Sequence, residues 1–128
     1  MSSCTVFDLH CDTLTAFLEP NRCPDTLNDP ASAFALCRIP RETHWCQCCA
    51  VFIPDGLTEE EALGYYRFHR DRFFCQIERF SPCALPCRTA GDVERAWAEG
   101  KTALILTVEN ASFLGGDLSR AEELRRDG

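Results

Sequence analysis

The sequence lacks any apolar run close to the ~18 residues that a membrane-spanning helix needs. Its first residues also lack the basic stretch followed by an apolar stretch that marks a secretory signal peptide. Basic side chains are outnumbered, with 13 Lys and Arg against 20 Asp and Glu and a net charge of −7. Nucleic acid and anionic membrane surfaces both attract a basic face. We therefore expect a cytoplasmic protein whose partners include neither nucleic acid nor membrane.

The composition is that of an ordinary globular domain. Of the 128 residues, 45% are hydrophobic and 26% are charged, proportions that exclude an intrinsically disordered chain. This length corresponds to a single domain of normal size. The sequence contains no internal repeat and no low-complexity linker, so we expect one domain over residues 1–128.

Ten cysteines are the unusual feature of this composition. Because no export signal accompanies them, we expect reduced thiols that pack as small hydrophobic side chains. Six have apolar or cysteine neighbours and are predicted to fill the core: Cys11, Cys37, Cys46, Cys48, Cys49 and Cys75. The alternative is a non-catalytic metal or redox module, with a thiolate site built from the Cys46–Cys49 cluster and the pair Cys83 and Cys87.

Three short apolar runs predict buried strands, near residues 4–10, 48–53 and 102–108. The last two are almost continuously apolar rather than alternating, as in strands of a parallel sheet that are covered on both faces. Residues 19–47 have no strong periodicity and four prolines, so they are predicted to form a loop with one or two helical turns.

Helical periodicity appears in three stretches between and after these runs. The first begins at Thr58, which forms a capping-box pattern with Glu61, and its apolar residues recur at helical spacing as far as residue 80. A second helix is predicted over 89–99 and a third over 118–126.

Strands that alternate with helices predict a parallel α/β architecture. Three parallel strands with two open edges make a poor finished sheet, and a complete TIM (β/α)8 barrel takes about 250 residues. We therefore expect an incomplete barrel domain, the N-terminal part of a TIM barrel with about three β/α units, whose C-terminal part is missing. Homo-oligomerisation through an unpaired strand edge is a further expectation.

The segment Asp8-Leu-His10-Cys-Asp12 indicates the chemistry. In an extended strand, residues two apart share a face, so its three polar side chains are predicted to project to one side and Leu9 and Cys11 to the other. Polar groups on a buried strand are costly unless a partner satisfies them. Imidazole and carboxylate suit zinc and similar divalent ions. The alternative is that His10 and Asp12 only bond to each other or cap the following turn.

Glu109 strengthens the metal hypothesis. It ends the most apolar strand of the chain, at the same carboxyl-terminal side of the predicted sheet as His10 and Asp12. A carboxylate in this position can also bridge two metal ions. Two polar clusters at the ends of buried parallel strands therefore favour one shared site.

These segments resemble a known family. Val6-Phe-Asp-Leu-His-Cys-Asp-Thr-Leu14 is similar to the opening of the membrane dipeptidase family (renal dipeptidase and its bacterial relatives, peptidase family M19). Thr107-Val-Glu-Asn110 resembles the third-strand motif of that family, and Cys46-Gln-Cys-Cys-Ala-Val-Phe-Ile-Pro54 resembles its second strand. The resemblance extends over nearly the whole chain.

The resemblance implies a metal-dependent hydrolase on a (β/α)8 barrel, in which two zinc ions share a bridging hydroxide that attacks dipeptides. It implies that His10 and Asp12 are ligands of one zinc and that Glu109 bridges both ions. Asp8 is expected to orient His10 or the strand end rather than to bind metal. The chain departs from the family in one place, because Asn110 and Ala111 replace the Gly-Gly that often follows the bridging glutamate.

The family's other ligands are two histidines on later strands, and its acid/base Asp and substrate-binding Arg come later still. We therefore expect no catalytic residue beyond the metal ligands in these 128 residues, and no activity of this chain alone. Dipeptides are the expected substrates of the complete enzyme. The alternative within enzymes is another amidohydrolase-like activity on the same barrel, such as a lactonase or deacetylase.

Overall fold

A computed structural model describes residues 4–18 and 23–128, which form four parallel strands and three α-helices. The strands are β1 (Cys4–Asp8), β2 (Thr43–Phe52), β3 (Ala84–Pro86) and β4 (Thr102–Glu109). The helices are α1 (Glu59–Arg79), α2 (Ala90–Ala98) and α3 (Leu118–Asp127). Short 3-10 turns occupy Ala16–Leu18, Thr26–Asn28, Leu36–Arg38 and Ser112–Leu114.

All four strands belong to one sheet with the order β1-β2-β4-β3. Strand β2 is therefore central and pairs in parallel with β1 on one side and with β4 on the other. The register places Phe7 opposite Cys46 and Cys46 opposite Ala103, while Phe52 lies opposite Glu109. The two strands that carry the predicted site residues are thus separated by one strand.

The parallel α/β architecture is confirmed, but the sheet has one strand more than the sequence pattern predicted. Strand β3 has three residues and pairs only with Thr102–Leu104 of β4. A segment of this length is too short for a periodic signal. Its proline, Pro86, lacks a main-chain donor and is compatible with an edge strand.

Two strand boundaries also differ from the predictions. Strand β1 ends at Asp8 rather than at residue 10, and β2 begins at Thr43, five residues before the predicted start. The loop prediction for 19–47 is therefore wrong over 43–47, where Thr, His and Gln obscured the strand pattern. Residues 19–22 of that predicted loop lie outside the described residues.

The helix predictions agree with the structure to within about one residue at their starts. The Thr58 hydroxyl accepts a hydrogen bond from the Glu61 nitrogen at 3.3 Å, and the Glu61 carboxylate accepts one from the Thr58 nitrogen at 2.8 Å. This completes the predicted capping box, and Thr89 and Asp92 form a second one at α2. Among the described residues, no helix combines the length and apolar character that crossing a bilayer requires.

Helices α1 and α2 cover opposite faces of the sheet. From β2, the chain passes through α1 to β3, which lies beyond β4 in the sheet, and then returns through α2 to β4. Parallel crossovers are right-handed, so two crossovers in opposite directions place their helices on opposite faces of the sheet. Leu104 accordingly packs in the cluster that contains Phe73 of α1, whereas Ala103 packs with Val93 and Ala96 of α2. The α2 face is only partly covered, and Phe7 on it is 51% exposed.

The cysteines follow the packing prediction in part. All ten thiols are free, and four of the six predicted core thiols are buried: Cys11, Cys46, Cys48 and Cys49. The prediction is wrong for Cys37 and Cys75, which are exposed, and it missed Cys87, which is buried. Apolar neighbours along the chain do not determine which way a side chain faces.

His69 of α1 is a buried histidine with an unusual environment. It has no exposed surface, and its ring contacts those of Phe17, Tyr65 and Phe68. Neither ring nitrogen makes a hydrogen bond of good geometry among the described residues, and a weak interaction with the main chain of Leu14 only partly offsets the burial. Burial, with a smaller contribution from the charge of Arg72, lowers the pKa of His69 to about 4 from 6.5. The folded chain therefore holds this imidazole in its neutral form.

We predict that His69 makes the chain sensitive to acid. Its pKa is lower in the folded state, so its contribution to stability is complete above pH 6.5 and is lost as the pH falls towards 4. The loss amounts to about 3 kcal/mol. Guanidinium unfolding at fixed pH values measures this as a decline in the free energy of unfolding, which His69→Leu should remove. The substitution should not destabilise the chain near pH 7, because it leaves no unpaired nitrogen buried. An unchanged pH slope in the variant would contradict the prediction.

Candidate metal centre

Three predicted site residues meet at the carboxyl-terminal edge of the sheet. His10 and Asp12 follow β1, and Glu109 is the last residue of β4. The Nε2 atom of His10 lies 3.2 Å from Oδ1 of Asp12 and 3.4 Å from Oε2 of Glu109. Within residues 4–18 and 23–128, this is the one group of three His, Cys, Asp or Glu side chains placed to hold an ion. The structure thus brings together the residues that the sequence motifs singled out.

The contact between His10 and Glu109 spans the central strand. Because β2 lies between β1 and β4, the two outer backbones are about two strand spacings, or roughly 9.6 Å, apart. Only side chains that project towards each other above the end of β2 can close this gap. The site therefore depends on the parallel pairing of both outer strands with β2.

Asp8 acts on the main chain of the ligand segment. Its Oδ1 accepts a hydrogen bond from the His10 nitrogen at 3.2 Å. Regular strand structure ends at this residue. Of the two residues predicted to share the opposite side, Cys11 is buried whereas Leu9 is 74% exposed.

Cys11 lies between the two predicted ligands and connects the segment after β1 to β2. Its main-chain oxygen accepts a hydrogen bond from the Ala50 nitrogen at 2.9 Å. The thiol of Cys49 donates a hydrogen bond to the Cys11 sulfur, which lowers the pKa of Cys11 and raises that of Cys49 well above its ordinary value. His10 and Asp12 thus flank a residue that β2 holds through both its main chain and its side chain.

The three donor atoms fit a zinc-like ion. Ligand bonds of ~2.0–2.1 Å in a tetrahedral arrangement separate donor atoms by about 3.3 Å, and the observed separations from His10 Nε2 are 3.2 and 3.4 Å. A neutral imidazole has a single N–H, which cannot point at two carboxylates at once, whereas a cation satisfies all three groups. One nitrogen and two oxygens suit zinc and other borderline divalent ions.

The site is open to solvent. The side chains of His10, Asp12 and Glu109 are 50%, 64% and 51% exposed. A cavity of about 710 Å³ borders His10 and Asp12, with Trp45 and Arg38 in its walls. This volume lies within the range of small-molecule sites. A bound ion would therefore keep positions accessible to water and substrate, as catalytic ions do.

The thiolate alternative finds no support in the structure. Among the described residues, which include all ten cysteines, no group of three thiols is placed to hold an ion. Burial raises the pKa of Cys46 to about 12 and also raises that of Cys87. Burial thus disfavours the thiolate forms that a metal site needs.

Comparisons with known proteins bear on this site and its fold. The model of the membrane dipeptidase family (peptidase family M19) matches residues 1–128. The crystal structure of dipeptidase AC, a metallopeptidase of family M19, has a TM-score of 0.82 and 20% identity, over 99% of this chain and 41% of that one. An amidohydrolase from Pseudomonas aeruginosa has a TM-score of 0.55 and 18% identity, over 69% and 25% of the two chains. No curated protein matches significantly.

The structural similarity concerns the fold. The sheet and helices of this chain superpose on part of a TIM barrel, which confirms the predicted fold class. The chain spans 41% of the length of dipeptidase AC. In TIM barrels, active sites lie at the carboxyl-terminal ends of the strands, the edge at which His10, Asp12 and Glu109 meet here.

We predict that the 128-residue chain binds a single zinc ion, weakly, through these three side chains. Calorimetric titration should show this binding abolished in His10→Ala and in Glu109→Gln, because each substitution removes a ligand atom. Glu60→Gln, which changes an exposed carboxylate in the first turn of α1, is the matched control and should bind as the wild type does. Binding that survives both ligand substitutions but is lost in Cys46→Ser would restore the thiolate alternative.

Proposed function

The chain belongs to the membrane dipeptidase family, peptidase family M19, and from this premise we propose that the complete protein is a zinc-dependent dipeptidase. The family is one of metallopeptidases. The observation that supports the proposal most directly is the contact of His10 Nε2 with both Asp12 and Glu109. It supplies a ligand set of the right chemistry at the edge of the sheet where barrel enzymes work.

The three residues have distinct proposed roles. His10 and Asp12 would hold one ion, and Glu109, on the other side of β2, would supply a carboxylate shared between that ion and a second one. A complete site of two ions needs further ligands, two histidines in the family, together with an acid/base Asp and a substrate-binding Arg. These groups belong to the part of the barrel outside residues 1–128.

Zinc ions bound here would lower the pKa of water and polarise the peptide carbonyl of a dipeptide. The residues of this chain prepare that chemistry in two ways. His10 must present a neutral imidazole nitrogen, and Asp8 fixes the main chain from which that ring extends. The carboxylates of Asp12 and Glu109 offset the charge of the ions, and the half-exposed positions of all three side chains leave room for the substrate.

The substrate class separates this proposal from its alternatives. An amidohydrolase shares the fold over 69% of the chain, and lactonases and deacetylases are the corresponding competing activities. A dipeptide, a lactone and an N-acetyl amino acid differ in the groups next to the bond that is cleaved. Parallel assays with the three substrates therefore decide between a dipeptidase and these activities.

We predict that the complete gene product with added zinc hydrolyses Ala-Ala or Gly-D-Ala, and hydrolyses lactones and N-acetyl amino acids much more slowly. His10→Ala and Glu109→Gln should each reduce dipeptide turnover by about 100-fold or more, because each removes a metal ligand. Glu60→Gln should retain full activity. Faster turnover of a lactone or an acetylated substrate than of any dipeptide would replace the proposed activity.

The 128-residue chain alone should show no turnover above background. It contributes three of the ligands and lacks the acid/base group, and general acid–base catalysis is typically worth ~10²–10⁴ in rate. The same assay measures this, with His10→Ala as the control. Turnover of the isolated chain that His10→Ala abolishes would show that these residues assemble a working site by themselves.

A further inference from the structure

Asn110, the residue directly after Glu109, has an unusual main-chain conformation. Its φ angle is +61°, and among the described residues it is the one residue other than glycine with a positive φ. Asparagine tolerates this left-handed region, but glycine adopts it more freely. Asn110 adopts this conformation directly beside the carboxylate of a predicted ligand. Its side chain is therefore expected to have a role of its own.

The side-chain amide of Asn110 uses both of its hydrogens. Its Nδ2 donates to the main-chain oxygen of Ile53 at 2.8 Å and to Oδ1 of Asp55 at 3.0 Å. The nitrogen of Ile53 in turn donates to the main-chain oxygen of Glu109 at 3.0 Å. Three hydrogen bonds therefore fix the peptide between residues 109 and 110 against the end of β2.

This peptide controls the direction of the Glu109 side chain. When the peptide plane is fixed, the Cα–Cβ bond of Glu109 leaves the strand in one direction only. The side chain needs this restraint, because it is 51% exposed and must reach across β2 to within 3.4 Å of His10 Nε2. A glutamate whose main chain were also mobile would lose more conformational entropy on binding an ion. The hydrogen bonds of Asn110 remove the main-chain part of that loss in advance.

We propose that Asn110 is a positioning residue that holds Glu109 in the orientation required for metal binding. The proposal rests on the proposed function, because it requires an ion held by His10, Asp12 and Glu109. Two substitutions separate the main-chain conformation from the hydrogen bonds. Asn110→Gly keeps the positive φ and removes the side chain. Asn110→Asp keeps the size of the side chain, removes both donor hydrogens and places a carboxylate opposite Asp55.

The test compares these variants with the wild type in the 128-residue chain. Zinc affinity is measured by competition titration, and the visible absorption of bound Co²⁺ reports the ligand geometry. We expect about tenfold weaker zinc binding for Asn110→Gly and a larger loss for Asn110→Asp, since groups that orient metal ligands are typically worth 10–100-fold in affinity. The Co²⁺ spectrum should change in both variants. Guanidinium unfolding without metal measures any general loss of stability separately.

Two further variants make the test specific. Asn28→Gly is the matched control, because the Asn28 side chain accepts a hydrogen bond from the Cys37 nitrogen at 2.8 Å within the segment between β1 and β2. It should keep wild-type zinc affinity. In the double variant Asn110→Asp, Asp55→Asn, the amide at position 55 can donate a hydrogen bond to the carboxylate at position 110. This double variant should recover part of the affinity lost in Asn110→Asp.

The outcomes distinguish this proposal from the proposed function. Zinc affinity within twofold of the wild type in both Asn110 variants, with binding still lost in His10→Ala, would overturn the positioning role and leave the metal centre intact. A loss of affinity matched by an equal loss in Asn28→Gly would also overturn it. A wild-type chain that binds no zinc, or binding that survives His10→Ala, would overturn the metal centre and the positioning role with it.

Discussion

The candidate site depends on one arrangement, the parallel pairing of β1 and β4 with the two edges of β2. Parallel pairing brings the carboxyl ends of the three strands to one side of the sheet, and the register sets how far each extends. Strand β2 contributes no ligand. Ala50 of β2 and Ile53, the residue directly after this strand, nevertheless hold the two ligand segments, through hydrogen bonds to Cys11 and to Glu109. A shift in either register would separate His10 from Glu109.

Sequence patterns predicted the meeting of His10, Asp12 and Glu109 because it follows from strand polarity. Apolar runs identify buried parallel strands, and polar residues at the ends of such strands share an edge of the sheet. Burial was predicted less well beyond Asp8, where β1 ends: Cys11 is buried but Leu9 is exposed. The sequence patterns did not predict β3 because a strand of three residues is too short to show alternation.

The residues that support the ligands were beyond the reach of these patterns. Cys11 was predicted to be buried, but its bond to Ala50 is a main-chain contact between distant segments. Asn110 stood out only as a departure from the family's glycine, and its hydrogen bonds to Ile53 and Asp55 depend on the position of the end of β2. The environment of His69 likewise arises from aromatic rings that meet only in the folded chain.

Helix α2 covers the face of the sheet opposite α1, and solvent access to that face differs between its two ends. Near the amino ends of the strands, Ala96 packs against Cys46 and Ala103, and no solute reaches these side chains. At the carboxyl ends, Phe52 and Glu109 are exposed. Helix α2 therefore covers this face at Cys46 and Ala103 and leaves it open to small molecules beside Glu109.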